Sequence, residues 1–535
     1  MKTSSSIALF SLLFSLTFSL SWASSSPNNA PPHEAFVWCL QTRSDPSNPI
    51  LPNLYTRTNS SYQPVLEAYI RNLRFNESTT PKPRLILTAT HVSHIQSAVV
   101  CAKSNGLEMR IRSGGHDYEG ISYRSTNNPN FFVLDMFNLR SVNVNTDDES
   151  AWIESGATLG EVYHAISEAS GILAFPAGVC PTVGVGGHIS GGGYGNMMRK
   201  FGLSVDHVTD ARIVDVNGRI LDRKSMGEDL FWAITGGGGA SFGVVLSYKI
   251  NLVQVPPEVT VFRVRRTNDG ENFTNLVDRY QRVMAGALPE DLFLRLTLDV
   301  ANRTNRATFT AMFLGSSDEL LRAVSLELPE LGLTRADCLE MKWIDSVLFW
   351  TNFPVGTPTN ALLSRVPQTL NRLKRKSDYL QEPIPKQGLE SIFGKMLELQ
   401  YPSLVFNPYG GKMAEILPSA KPFPHRAGNI AKFQYAVNWD EAGEEAEQRY
   451  MSSITELHDH MTPYVSKDPR GAFFNYRDLD IGVNGNGKNS YREGAVYGVK
   501  YFRANFNRLV KIKTRVDSDN FFRNEQSIPV LPWKK

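Results

Sequence analysis

Two glycine-dense runs decide the fold: Arg112-Ser113-Gly114-Gly115-His116-Asp117-Tyr118-Glu119-Gly120, and Gly178-Val179-Cys180-Pro181-Thr182-Val183-Gly184-Val185-Gly186-Gly187-His188-Ile189-Ser190-Gly191-Gly192-Gly193-Tyr194-Gly195. Glycine lets backbone approach a ligand closely and lets successive N–H groups converge on an anion. His116 and Cys180 place two nucleophiles among such loops. A third cluster, Gly236–Gly239 with Gly243, follows in the same half of the chain. There is no G-x-G-x-x-G in a strand–turn–helix context and no G-x-x-x-x-G-K-S/T, which argues against a nicotinamide Rossmann site or a P-loop. Glycine alone can mean tight turns, but three clusters in one βα-rich segment favour a pyrophosphate cradle.

Outward from these runs, Leu85–Leu87 reads as a strand, and Thr90 can cap a helix with Val92, Ile95 and Val99 at helical spacing. Asn105-Gly106 stops that helix and Met109–Ile111 begins a strand, so a strand–helix–strand unit feeds the His116 run. Phe131–Leu134 and Ser141–Val144 read as strands. Thr158-Leu159-Gly160-Glu161 is a capping box before a helix with Val162, Ile166 and Ala169 on one face, and Gly171 ends it. Asp210–Val216 and Arg219–Leu221 flank Asn217-Gly218 as a hairpin, and Val244–Leu246 is an apolar run. Past Pro256-Pro257 the glycine clusters thin out. Phe293–Leu298 and Ala307–Phe313 are strand-like and Asp318–Ser325 is helical. Pro354–Pro385 and Pro402–Pro424 read as loops. From Asn475 onward the pattern predicts a short strand, a glycine turn and a helix around Tyr497–Arg515.

The chain has 535 residues, 41% hydrophobic and 20% charged, with a net charge of +3. That size implies more than one core. The charge is too mild, and too evenly spread, for nucleic acid; it suits weak adhesion to an acidic cell-wall polysaccharide. Lys2, the apolar stretch Ile7–Leu20 and Ser21-Trp22-Ala23 read as a secretory signal over residues 1–23, a membrane anchor being the alternative. No later segment is long and apolar enough to span a bilayer, so no membrane partner is expected. Secretion permits disulfides, and Cys39, Cys101, Cys180 and Cys338 allow three complete pairings. Four sequons, at Asn59, Asn76, Asn272 and Asn302, fit a glycosylated export. No metal-ligand cluster stands out.

The His116 and Cys180 loops resemble those of the berberine bridge enzyme-like family of plant flavoenzymes. So do Asn475-Tyr476-Arg477-Asp478, Tyr501-Phe502-Arg503-Ala504-Asn505-Phe506-Asn507-Arg508 and Asp519-Asn520-Phe521-Phe522-Arg523-Asn524-Glu525-Gln526 near the C-terminus. The likeness runs from about Cys39 to Pro529. It implies an α+β, two-domain FAD-binding PCMH-type fold of the vanillyl-alcohol-oxidase kind, whose substrate domain is an antiparallel sheet backed by helices. Residues 36–255 would form the FAD-binding domain, 256–474 the substrate domain, and 475–535 a C-terminal segment completing the first. The resemblance also implies one FAD held bicovalently, by His116 at the 8α-methyl and Cys180 at C6. With Cys180 so used, Cys39–Cys101 is the simplest bridge and Cys338 stays a thiol. Gly114, Gly115, Val183, Gly186, Gly187, Ser190, Gly191, Gly192, Gly193 and Val244 would surround the cofactor.

For catalysis the resemblance makes Tyr476 the base and puts Tyr194 beside the flavin. Lys432 and Gln434 share one face of a strand by alternation; by the residues alone that face is a solvated one, whereas the family places it against the substrate. Arg295 is a charge inside an apolar strand and needs a partner; with Lys432 it would stabilise a tyrosinate and lower its pKa. Val183, three residues after Cys180, matches an oxygen-gating position, where valine leaves space that leucine fills; simple loop packing is the alternative. His188 has no linkage role in the family and packs by default. The activity implied is oxidation of an alcohol by hydride transfer to flavin N5, with oxygen as acceptor and hydrogen peroxide formed. A monolignol-type allylic alcohol is favoured, with the anomeric carbon of a saccharide, or a non-oxygen acceptor, as alternatives. A non-catalytic wall glycoprotein is the reading from a different class.

Overall fold

The computed structural model describes residues 30–126, 128–485 and 490–532; the signal-peptide expectation falls outside them. The β-rich N-terminal half follows the predicted punctuation. Strands Leu85–Thr88, Glu108–Arg112 and Phe131–Asp135 form a parallel set, with Leu54–Thr56 added antiparallel at one edge. Helix Val92–Ser104 makes the crossover. Its cap is His91, not Thr90: the His91 ring accepts the Ser93 N–H. The capping box at Thr158 and Glu161 opens helix Leu159–Ala169 as predicted. A second sheet orders Val142–Asn145, Ser150–Glu154, Val244–Asn251, Val208–Val214 and Ile220–Leu221, all antiparallel, and the Asn217-Gly218 hairpin is its last pair.

The second half builds a seven-stranded antiparallel sheet in the order Cys338–Met341, Val259–Thr267, Thr304–Phe313, Leu292–Ala301, Ser403–Pro408, Ala431–Trp439, Arg372–Leu380. Helices Glu271–Val283, Lys386–Leu399 and Glu444–His460 cover one face. Period-2 alternation splits each strand between two cores. Phe262 and Val264 pack under the helices, whereas Val259, Val261, Phe293 and Met312 belong to the core of the other half. The sheet therefore lies between its helices and the glycine loops. The α+β class with a helix-backed antiparallel sheet holds.

Three further local expectations fail. The segment read as a loop over Pro354–Pro385 contains strand Arg372–Leu380, and Pro402–Pro424 contains strand Ser403–Pro408. Prolines flank both strands, and only neighbours distant in sequence supply their ladders. Among the described residues the tail has no strand; it carries helices Tyr491–Phe502 and Asn505–Val516, broken at Arg503, whose φ is 46°.

Cys39–Cys101 is bonded, joining helix Pro32–Thr42 to the crossover helix over a sequence separation of 62. Loop closure of that length stabilises by about 4 kcal/mol in the chain-entropy picture. Cys180 and Cys338 are free thiols. Asn59, Asn272 and Asn302 are exposed and Asn76 is half-buried.

Candidate functional site

The two glycine runs cross in space. A Cβ on Gly114 would overlap Gly184 N, and one on Gly184 would overlap Gly114 N, so only glycine permits the crossing. Gly115 has a φ of +68° and turns its missing side chain onto Tyr69 O. The base of the loop is pinned by the buried Arg112–Asp135 pair at 2.6 Å, and Arg112 also donates to Leu66 O at 2.7 Å. Among the described residues, the backbone N–H groups of Gly114, Gly115, His116 and Asp117 donate to no protein acceptor. Consecutive free N–H groups in a tight turn make an anion-binding concavity.

His116 and Cys180 both line the same cavity, of about 440 Å³, with Val183, Gly186, Gly187 and Ser190. His116 Nε2 pairs with Thr182 Oγ1 at 2.9 Å, which ties the first loop to the second and leaves Nδ1 unbonded. Burial, then Arg71, pulls the imidazole down to about 3, so the ring is neutral at neutral pH and keeps a nucleophilic lone pair. The Cys180 thiol opens onto the cavity although protein surrounds it. Burial raises its pKa, with Arg295 and Arg375 pulling the other way.

Tyr476 enters from the short turn Phe474–Tyr476, and its hydroxyl contacts that of Tyr194. Tyr194 donates to Asn407 Oδ1 at 3.5 Å, and Arg295 Nε donates to the same oxygen at 2.9 Å. Strand register explains the meeting: Lys432 stands opposite Asn407, and Gln434 opposite Val405, so their side chains face the loops. Lys432 Nζ lies 2.9 Å from the Tyr194 ring centroid, 3.8 Å from that of Phe473 and 4.6 Å from that of Tyr476. Gln434 Nε2 donates to Tyr118 Oη at 3.1 Å, and the Tyr118 and Tyr476 rings are 5.6 Å apart. Lys432 and Gln434 thus stand one layer behind the aromatic wall rather than on it.

The electrostatics correct one expectation. Burial pushes Tyr476 well above the usual phenol range; Arg295 opposes this without reversing it. Tyr194 is raised by burial as well. Lys432 falls well below the usual ammonium value, first through burial and then through Arg295. The stable arrangement is a neutral phenol pair beside an ammonium that gives up its proton readily, not a standing tyrosinate. Lys432 is also fully buried rather than on a solvated face, at 1% exposure.

Four residues expected to surround the cofactor, Val244, Gly191, Gly192 and Gly193, are not on the lining of this cavity. Val244 packs in the core and its neighbour Val245 lines the cavity, because alternation turns adjacent strand residues to opposite faces. Gly191, Gly192 and Gly193 give room instead to Asn475, Phe423 and His188. His188 Nε2 accepts the Gly178 N–H at 3.2 Å and has a pKa of about 3 from burial, consistent with packing. Sequence reading passed over Tyr118, Arg375, Phe473 and Asn407. Tyr118 was within reach, two residues past His116. Arg375 sat in a segment read as a loop, between two lysines.

Comparison with known proteins places these features. The "FAD binding domain" family matches residues 83–223, and "Berberine and berberine like" matches residues 472–529. Berberine bridge enzyme-like 8 of Arabidopsis thaliana is 59% identical over 507 residues, covering 93% of this chain and 95% of that one. The Bermuda grass isoallergen BG60 superposes with a TM-score of 0.88 at 44% identity, over 93% of this chain and all (100%) of its own. The grass pollen allergen Phl p 4, described as having glucose dehydrogenase activity, gives a TM-score of 0.88 at 42% identity over 93% of this chain and 100% of its own. An isoleucine-to-valine variant of it is described as a glucose oxidase. With its two crossing glycine loops, its helix-backed sheet and these matches at both ends, the chain belongs to the berberine bridge enzyme-like family of FAD-dependent oxidoreductases with the two-domain PCMH-type fold.

Proposed function

We propose that this chain is a secreted alcohol oxidase holding one FAD through His116 and Cys180. The observation that carries the reading is the convergence of both nucleophiles on one cavity, beside unpaired N–H groups suited to a pyrophosphate. Residues 36–255 with 475–535 serve as the FAD-binding unit and 256–474 as the substrate unit. Bound FAD supplies the hydride acceptor and returns the electrons to oxygen. The residues here place the substrate, exclude water and manage its proton. Tyr476, neutral at rest, first gives its own proton to solvent; the phenolate then receives the hydroxyl proton while its contact with Tyr194 keeps it oriented. Arg295, through Asn407, and Lys432, against the rings, offset the developing negative charge.

The walls formed by Tyr118, Tyr194, Phe473 and Tyr476 favour a flat, conjugated alcohol of the monolignol type, because ring faces stack well on a planar substrate. A saccharide oxidised at its anomeric carbon is the second reading, supported by the sugar activity of the pollen allergen. Peroxide release from coniferyl-type alcohols against cello- and pectic oligosaccharides tests it. Turnover confined to sugars would overturn the monolignol assignment, and no turnover with either would favour a non-catalytic role. The Cys39–Cys101 bond supports an oxidising destination, namely the wall space, with weak adhesion to acidic polysaccharide.

Oxygen as acceptor rests on Val183. Its side chain lines the cavity three residues from Cys180, and the valine variant of the allergen that became an oxidase supports the same logic. One more methylene in a packed pocket removes the space a diatomic needs. Val183→Leu is expected to slow reoxidation of reduced enzyme by air far more than it slows reduction by substrate. Wild-type enzyme that reoxidises sluggishly in air but rapidly with a quinone would replace the oxidase reading with a dehydrogenase.

A further inference from the structure

Arg375 is a charge on the cavity lining that the proposed chemistry does not use. It comes from strand Arg372–Leu380, the edge strand of the seven-stranded sheet, and stands opposite Ala436. That register puts it on the same face as Gln434, whose cross-strand partner is Ser377. Its flanking lysines turn the other way: Lys374 Nζ meets Glu119 at 2.6 Å and Asp478 at 2.7 Å, and Lys376 Nζ meets Asp478 at 3.0 Å. The local carboxylates are thereby taken up by the lysines.

Arg375 keeps neutral partners only. Nη1 donates to Lys374 O at 2.9 Å and to Val437 O at 2.8 Å, and Nη2 donates to Asn438 Oδ1 at 2.7 Å. Its guanidinium lies 5.6 Å from the Tyr118 ring centroid. Among the described residues no carboxylate reaches ion-pair distance of it. The one carboxylate on the cavity lining, Asp117, accepts the backbone N–H groups of Ile121 at 2.5 Å and Ser122 at 3.2 Å. The other cations beside the tyrosines are Arg295, which donates to Asn407, and Lys432, buried against the rings of Tyr194, Phe473 and Tyr476. A guanidinium held by three acceptors, half-buried on a cavity wall and lacking a counter-charge among the described residues is preorganised for an anion.

We propose that Arg375 is a specificity-determining residue, selecting substrates that carry a carboxylate at the end remote from the carbon being oxidised. Asn407, Tyr194 and Tyr476 cluster at Arg295, and Arg477, the third arginine of the lining, donates to Asn524 Oδ1 at 3.1 Å, whereas Arg375 faces Tyr118 from the edge strand and is the cation left to meet the substrate's far end. This rests on the proposed use of the cavity as the substrate site.

The test uses the flavin-loaded enzyme and two matched pairs. Binding is measured by calorimetry with para-toluate and its neutral isostere para-toluamide, neither of which can be oxidised. Turnover is compared for para-carboxycinnamyl and para-carbamoylcinnamyl alcohol. The wild type should prefer the carboxylate by about tenfold in both, the scale of one charge-assisted hydrogen bond. Arg375→Gln should abolish the preference in both measurements, and Arg375→Lys should keep part of it. Equal binding of the two ligands by the wild type, or an undiminished preference in Arg375→Gln, would overturn the proposal. If neither alcohol is oxidised yet the toluate preference is lost in Arg375→Gln, the alcohol-oxidase reading fails and the anion site stands.

Discussion

Tyr476→Phe is expected to slow anaerobic reduction of the bound flavin by about 10²-fold or more, the scale of losing a general base. Substrate affinity should change far less, since the phenyl ring keeps its packing against Tyr118, Tyr194 and Phe473. Stopped-flow absorbance under anaerobic conditions reads both quantities. The sign of the pH dependence follows from the directions of the shifts. Burial raises the Tyr476 phenol and lowers the Lys432 ammonium. Tyr476 must lose its own proton to act as the base, and burial raises the pH at which it does so, so the wild-type reduction rate should climb as the pH rises and the variant should lose most of that climb. An unchanged rate in Tyr476→Phe would show that the hydroxyl proton leaves by another route, with Tyr194 the next candidate.

The second large effect concerns attachment. Acid-precipitated wild-type protein should remain yellow, with flavin on both His116 and Cys180 in peptide mass maps. Each single alanine variant should retain one attachment, and His116→Ala/Cys180→Ala together should release essentially all flavin into the supernatant. The neutral His116 ring, with Nδ1 unbonded and Nε2 committed to Thr182, is ready as a nucleophile without a separate base. Cys180 is different. Its thiol pKa is raised by burial, so its bond should form more slowly and should gain more from higher pH during reconstitution. A colourless wild-type pellet, or flavin confined to one residue, would refute the double tether.

Local chemistry was legible wherever the signal is short-range. The capping box at Thr158 and Glu161, the Asn217-Gly218 hairpin and the strand–helix–strand unit ahead of His116 rest on contacts between residues a few positions apart. The strands Arg372–Leu380 and Ser403–Pro408 escaped because their partners lie far along the chain: Tyr379 pairs with Lys432, and Leu298 with Leu404. Proline-flanked composition looks like a loop until a ladder is available. The same distance explains the site. His116, Cys180, Tyr194, Arg295, Lys432, Gln434 and Tyr476 were nameable from motif and resemblance and Tyr118 lay within reach of the His116 motif, whereas Asn407 and Arg375 needed the sheet register.

By itself the sequence determined that two glycine runs must come close to something, that a histidine and a thiol would be there, and which family pattern they follow. Backbone permissiveness and nucleophile identity are written in residue type. The tertiary structure alone decided that the two runs cross at Gly114 and Gly184. It alone buried Lys432 behind three aromatic rings and turned Val245, not Val244, towards the cavity. It also left Tyr476 a neutral phenol and Arg375 a cation without a counter-charge. Those outcomes depend on solvent exclusion and on which strands lie side by side. Both are sums over residues remote in the chain, and no local stretch of sequence contains them.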